Sequence, residues 1–152
     1  MSLPPTEWLS KRLDAIYESY SGFDFRQTTV GVDDEEFEAI ADRGDTASVR
    51  VRVRGPDGVL ALSDDDGWSI PGGVVDSDRP LAAVAADIVR DQTGVRCRIN
   101  ELVRIELTCL RHEHSGGMVY ELAALFDGSL VGGEPNAKTV WRDRPLEQTQ
   151  VL

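Results

Sequence analysis

Lysine is nearly missing from this chain. Of its 16 basic residues only Lys11 and Lys138 are lysines, and the rest are arginines. Acidic residues number 27, so the net charge is −11. A deficit of positive charge this large argues against a general nucleic-acid binder, because a phosphate backbone needs a basic footprint. An aspartate-rich, lysine-poor surface suits molar salt. There the screening length falls to roughly 3 Å and self-repulsion is suppressed. The composition points to a halophile, with an ordinary acidic cytosolic protein as the alternative. Cysteine is scarce too. Cys97 and Cys109 are too few for a disulfide framework, and a reducing cytoplasm is the simple expectation. No run of about eighteen apolar residues occurs, so no membrane-spanning helix is expected. The polar, helix-patterned N-terminus does not read as a signal peptide. Also missing are a Gly-x-Ser-x-Gly elbow, a P-loop and a Rossmann fingerprint.

What is present suffices for one domain with a core: 152 residues, 41% of them hydrophobic. Leu9, Leu13, Ile16, Tyr17 and Tyr20 recur at helical spacing, and Ser21-Gly22 closes that run. A second helix is expected from Asp33 to Asp42, with an acidic start that suits the helix dipole and Gly44 as its stop. Regular strands are expected from Thr46 onward. Val49, Val51 and Val53 alternate with Arg50, Arg52 and Arg54. Gly55-Pro-Asp-Gly58 is a turn, and Val59 to Leu62 returns as a strand. After the Asp64–Gly67 loop, Trp68 to Ile70 is a short strand. A helix follows with the apolar stripe Leu81, Val84, Ala85, Ile88 and Val89, capped by Ser77 or Asp78 and started by Pro80. Strands are expected at Arg98–Leu110, Met118–Phe126 and Lys138–Trp141, and a terminal helix from Pro145.

The stretch Trp68-Ser-Ile-Pro-Gly-Gly-Val-Val-Asp76, with Asp87-Ile-Val-Arg-Asp-Gln-Thr-Gly94 downstream, resembles a Nudix box. The family pattern is G-x5-E-x7-R-E-U-x-E-E-x-G-U, where U is a bulky aliphatic residue. Counting from Gly73 places the closing glycine on Gly94 and the closing aliphatic on Val95 without a gap. The polar positions depart from the pattern. The first glutamate falls on Arg79, the Arg-Glu pair on Asp87 and Ile88, and the Glu-Glu pair on Asp91 and Gln92. The resemblance implies an α/β (α+β) fold: a Nudix-like mixed β-sheet sandwiched between helices over residues 46–152. An N-terminal helical extension over residues 1–45 would precede it.

The resemblance also implies hydrolysis of a diphosphate linked to another group, with Mg²⁺ or Mn²⁺ held on carboxylates of the box helix. Hard oxygen ligands suit Mg²⁺, and the metal neutralises phosphate charge and activates water. On that basis Asp87 and Asp91 are the catalytic candidates, and Gly73, Asp91 and Gln92 the metal candidates. Asp87 and Asp91 share a helix face, where a solvated acidic surface is the plainer reading. Ile88 lies on the apolar stripe and extends the core. Arg52, Trp68 and Glu134 are the substrate-binding candidates. Guanidinium forks suit diphosphates, although cross-strand ion pairing also explains Arg50, Arg52 and Arg54. Trp68 could stack on a base or support the fold. Asp76, Asp78, Glu101, Glu106 and Glu121 are the remaining carboxylates to place. Cys109, His112 and His114, with Cys97 nearby, do not follow a standard zinc spacing, and His112 or Glu113 could serve as a base. Three functions follow: a metal-dependent pyrophosphohydrolase of a nucleoside diphosphate derivative or other small diphosphate, a non-catalytic nucleotide- or protein-binding module, and a structural role. The leading helix leaves room for a homodimer.

Overall fold

The computed structural model describes residues 7–64, 67–76 and 78–143. Helix α1 (Glu7–Ser19) buries Leu9 and Ile16 one face deep, with Leu13 and Tyr20 packed beside them. Tyr17 turns away from that core and meets Phe23 and Phe25, with ring centroids 5.5 and 6.3 Å distant. Helix α2 (Asp34–Arg43) begins at Asp33, whose side chain accepts from the Glu36 N–H, and ends at Gly44. Both ends match the sequence reading.

The segment between these helices does not. Asp24–Val32 is a strand, β1, paired in parallel with β6 (Val95–His112) from Asp24 opposite Arg104 to Val32 opposite His112. The N-terminal extension is therefore not wholly helical, and strands do not start at Thr46. Phe25, Thr28, Thr29 and Val30 favour strands. β1 is nevertheless an edge strand, exposed along all but its last residue, so no alternation of apolar and polar residues announces it.

The strands expected from Thr46 onward are present, and Gly72–Val75 forms a further one that was not expected. Strand β2 (Thr46–Gly55) buries Ala47, Val49, Val51 and Val53 and turns its arginines to the other face. β3 (Gly58–Asp64), β4 (Gly67–Ser69) and β5 (Gly72–Val75) lead into α3 (Leu81–Thr93). β6, β7 (Met118–Gly133) and β8 (Thr139–Arg142) complete the order. Among the described residues the sheet has eight strands, in the path β1-β6-β7-β2-β3-β4, with β5 on β2 and β8 on β3. β1–β6 and β2–β7 are parallel and the other pairs antiparallel. The sheet is thus mixed and flanked by helices, and Phe126, Leu60, Ile105 and Leu122 lie at the centre of its core. The expected terminal helix from Pro145 lies outside the described residues. No described helix is long and apolar enough to cross a membrane.

Candidate functional site

The strand–loop–helix from β5 to the end of α3 is built around two glycines and one amide. A Cβ on Gly72 would run into the Val49 carbonyl oxygen and come within 2.8 Å of Arg50 Cγ, so only glycine lets β5 lie this close to β2. Gly94 closes α3 in the left-handed conformation, at φ 81°, with its N–H bonded to the Arg90 carbonyl. Between them, Gln92 reaches back from the last turn. Its Nε2 donates to the Gly72 carbonyl at 2.7 Å, and its Oε1 accepts from the Gly72 N–H at 3.1 Å. Both polar atoms of the amide are therefore engaged with one residue's backbone. The end of α3 is tied further by Asn136, which donates to the Gln92 and Thr93 carbonyls.

The start of α3 differs from the sequence expectation. Pro80 occupies the cap position without a side-chain hydrogen bond, and Asp78 does not cap the helix; Ser77 lies outside the described residues. The first turn is anchored instead by Arg12 of α1, a buried arginine whose Nη1 donates to the Arg79 carbonyl at 2.8 Å. A groove of about 630 Å³ runs along this junction, past Trp8, Arg12, Tyr20 and Pro80.

Each expected site residue has a definite place. Asp87 accepts from Arg79 Nη1 at 2.7 Å and lies 3.4 Å from Arg90. The Arg79 hydrogen bond pulls the Asp87 carboxyl below the ordinary carboxylate range. Arg79 and Asp87 occupy the glutamate and arginine positions of the box pattern, so an ion pair survives there with its charges exchanged. Ile88 is half-buried, packs on the main core and points its Cδ1 at Gly73. Asp91 is 73% exposed, with Arg90 Nε at 3.7 Å.

These positions do not fit a multi-carboxylate Mg²⁺ or Mn²⁺ centre. Ile88 has no donor atom, Gln92 is engaged by Gly72, and Asp87 is engaged by Arg79. Asp91 is left as the sole open carboxylate of the box positions. Among the described residues, no grouping of three ligand-type side chains includes Asp87 or Asp91. Gln92 thus clamps the loop through Gly72, and Asp87 is paired with Arg79.

The substrate-binding candidates are dispersed. Arg52 pairs with Asp127 directly across β2 and β7, Nε to Oδ1 2.8 Å, with both side chains largely shielded from water. Cross-strand pairing thus accounts for Arg52. Trp68 lies under the Arg142 guanidinium, whose Cζ is 5.0 Å from the ring centroid. Glu134 is exposed beyond β7, and its backbone carbonyl lies against Gly94. Glu106 pairs with Arg104 and Glu121 with Arg43, while Asp76, Asp78 and Glu101 are exposed.

A convergence of ligand-type groups occurs elsewhere. At the corner where β1 enters α2, beside the turn between β6 and β7, Asp34 Oδ1 lies 2.5 Å from His112 Nε2 and 2.7 Å from His114 Nδ1. The His112 Nδ1 lies 2.6 Å from Ser115 Oγ, and the Phe37 ring stacks on the imidazole at 4.8 Å and 16°. Hydrogen bonds from His114, and then from His112, lower the Asp34 carboxyl; the bond to Asp34 raises His114. Cys97 and Cys109 take no part: Cys109 is buried in β6 and accepts from Gln27. Asp34 escaped the sequence reading because its partners stand 78 and 80 residues away. The His-x-His spacing at 112 and 114 was the only local signal.

No model of a known protein family matches the chain, and no curated protein matches it. Solved structures do. The MutT mutator protein of Bacillus halodurans superposes with a TM-score of 0.54 at 21% identity, over 64% of this chain and 68% of that one. A UDP-X diphosphatase gives a TM-score of 0.52 at 12% identity, over 79% and 68%. A Nudix hydrolase from Nitrosomonas europaea gives 0.48 at 15% identity, over 72% and 64%. The first two likenesses concern the fold alone: the mixed, helix-flanked sheet matches the Nudix hydrolase fold.

Proposed function

We propose that the chain is a Nudix hydrolase-like protein that recognises a nucleoside diphosphate derivative or another small diphosphate, and that its box segment no longer drives metal-dependent hydrolysis. The fold supports the first half. The second half is carried by the Gln92 amide, which gives both polar atoms to Gly72 where the pattern needs a metal carboxylate. Ile88 and the Arg79–Asp87 pair point the same way. Each tenfold loss of rate corresponds to about 1.4 kcal/mol of transition-state stabilisation. A helix lacking several ligands of its metal is therefore orders of magnitude short of an efficient enzyme. Mg²⁺ or Mn²⁺ would reach this site chiefly through the phosphates of its ligand.

Slow hydrolysis through a rebuilt site is the second reading, and the exposure of Asp91 favours it. The net charge of −11 supports a halophilic setting without nucleic-acid partners, and the scarcity of cysteine supports a cytoplasmic one. A homodimer through the leading segment remains a proposal for sizing in solution.

The test is a panel of nucleoside diphosphate derivatives with Mg²⁺ and Mn²⁺, in molar KCl and in dilute buffer. Binding is followed by calorimetry, and turnover by phosphate or mononucleotide release. Saturable binding without turnover above the Asp91→Ala background is expected. Metal-dependent turnover that Asp91→Ala abolishes would establish the second reading. Folded protein that neither binds nor cleaves any member of the panel would overturn both.

A further inference from the structure

We propose that Asp34, His112 and His114 form a binding site for a borderline transition-metal dication of the Zn²⁺ class, separate from the box helix. Their three ligand atoms lie within 4.8 Å of one another, and both imidazoles aim a nitrogen at the same carboxylate oxygen. Two imidazoles and one carboxylate suit Zn²⁺, Co²⁺, Ni²⁺ or Cu²⁺, whereas Mg²⁺ and Ca²⁺ prefer all-oxygen sets.

The site is built rather than incidental. His112, the least exposed of the three, is fixed on its far side by Ser115 Oγ and on its ring face by Phe37. A partner on the second imidazole nitrogen is what orients metal-ligating histidines. The backbone around it is tied down on both flanks, with the His112 N–H bonded to the Gly117 carbonyl and the Glu113 N–H to the Val32 carbonyl. Asp34 is not needed as a helix cap, because Asp33 fills that role. Its carboxylate is turned instead to the two histidines that would share the metal.

Charge around the corner favours a cation. The N-terminus of α2 contributes about half a positive charge. Against it stand Asp34, Glu35 and Glu36 in the first turn and Glu113 in the facing turn. The structural adjustment needed is small. Zn²⁺ sits about 2.0–2.1 Å from nitrogen or oxygen ligands, so tetrahedral donors stand about 3.3 Å apart. The two Asp34 contacts must open by less than about 1 Å. The two imidazole nitrogens, which lie within 4.8 Å, must settle at the same spacing, and the exposed Asp34 and His114 side chains can supply that movement. Three protein ligands leave a fourth position for water or an anion.

The competing account is a His–Asp hydrogen-bonded corner that merely ties α2 to the β6–β7 turn. The two differ on titration of the untagged full chain, in molar KCl, with Zn²⁺ and Co²⁺ as the sole added metals. One metal per chain is expected, with tetrahedral Co²⁺ d–d absorption and no competition from millimolar Mg²⁺. His114→Ala and Asp34→Ala should each weaken binding at least tenfold. His114 is exposed, so its variant keeps the fold even where a change at His112 does not. Metal bound with unchanged affinity by both variants overturns the site, as does wild-type protein that shows no stoichiometric Co²⁺ spectrum. These outcomes do not depend on the diphosphate reading, because neither diphosphates nor the box helix enters the titration.

Discussion

Two regions of this molecule invite the same question, and they answer it differently. On α3, Asp87 and Asp91 stand one helical turn apart in a frame that keeps the spacing of a metal-binding box, yet their partners are arginines. At the corner of α2 and the β6–β7 turn, residues separated by 78 positions or more share one carboxylate oxygen, in no recognised spacing. Spacing dictates where a backbone goes, since Gly72 and Gly94 are required by close approach and by a left-handed closure. What the side chains do there is settled separately, by their neighbours.

The strongest way to break this contrast is to write the family's ligands back into α3. Asp87→Arg, Ile88→Glu and Gln92→Glu together restore three of the pattern's polar positions, with Arg79 still standing at the first glutamate. Glu at 88 would place a carboxylate on a half-buried face packed against the core. That alone should cost about 2–4 kcal/mol. Denaturant unfolding should show the loss, and hydrolysis of the diphosphate panel should not rise tenfold. A tenfold rise would mean that the frame is competent and that only ligands had been lost.

Next in size is the clamp. Gln92→Ala removes two hydrogen bonds to Gly72 and should destabilise by about 1–3 kcal/mol. Gln92→Glu removes the donor and sets a carboxylate against the Gly72 carbonyl, so it should do at least as much harm. If Gln92→Glu is instead neutral and gains Mn²⁺ affinity, the amide is a displaced ligand and the contrast with the corner narrows. Amide exchange at Gly72 provides a local readout, because its N–H is bonded to the Gln92 side chain.

Much of the fold was legible in the chain. Alternation in β2, the apolar stripe of α3 and the Asp33 and Gly44 stops of α2 report half-buried surfaces and local capping, which are properties of contiguous residues. β1 was illegible because it pairs through its backbone at an exposed edge, where side-chain pattern is under little constraint. The site was less legible. Ile88 was identified as core from its stripe, and ion pairing was the plainer reading of Arg52. The Gln92 clamp joins a side chain to a backbone twenty residues away, and the Asp34 corner depends on the parallel register of β1 on β6. Neither relation has a local signature.

The smallest expected effect concerns the exchanged ion pair. Arg79→Asp leaves Asp87 beside a like charge, and Asp87→Arg leaves Arg79 beside two arginines. Each single variant should lower Tm slightly, and the double exchange should recover most of the loss, since it restores an opposite pair at the same positions. The recovery should shrink in molar KCl, where exposed pairs are screened, whereas the Gln92 effect should persist. Acid titration gives the sign independently. Asp87 is held below the ordinary carboxylate range by Arg79. Its contribution to stability is therefore present above the unfolded-state value and lost as pH falls through the folded one. In Arg79→Ala the Asp87 carboxyl carbon should titrate at higher pH by NMR, and this part of the acid limb should disappear. An unmoved titration would mean that the pair is not formed in solution and that Asp87 is as open to a cation as Asp91.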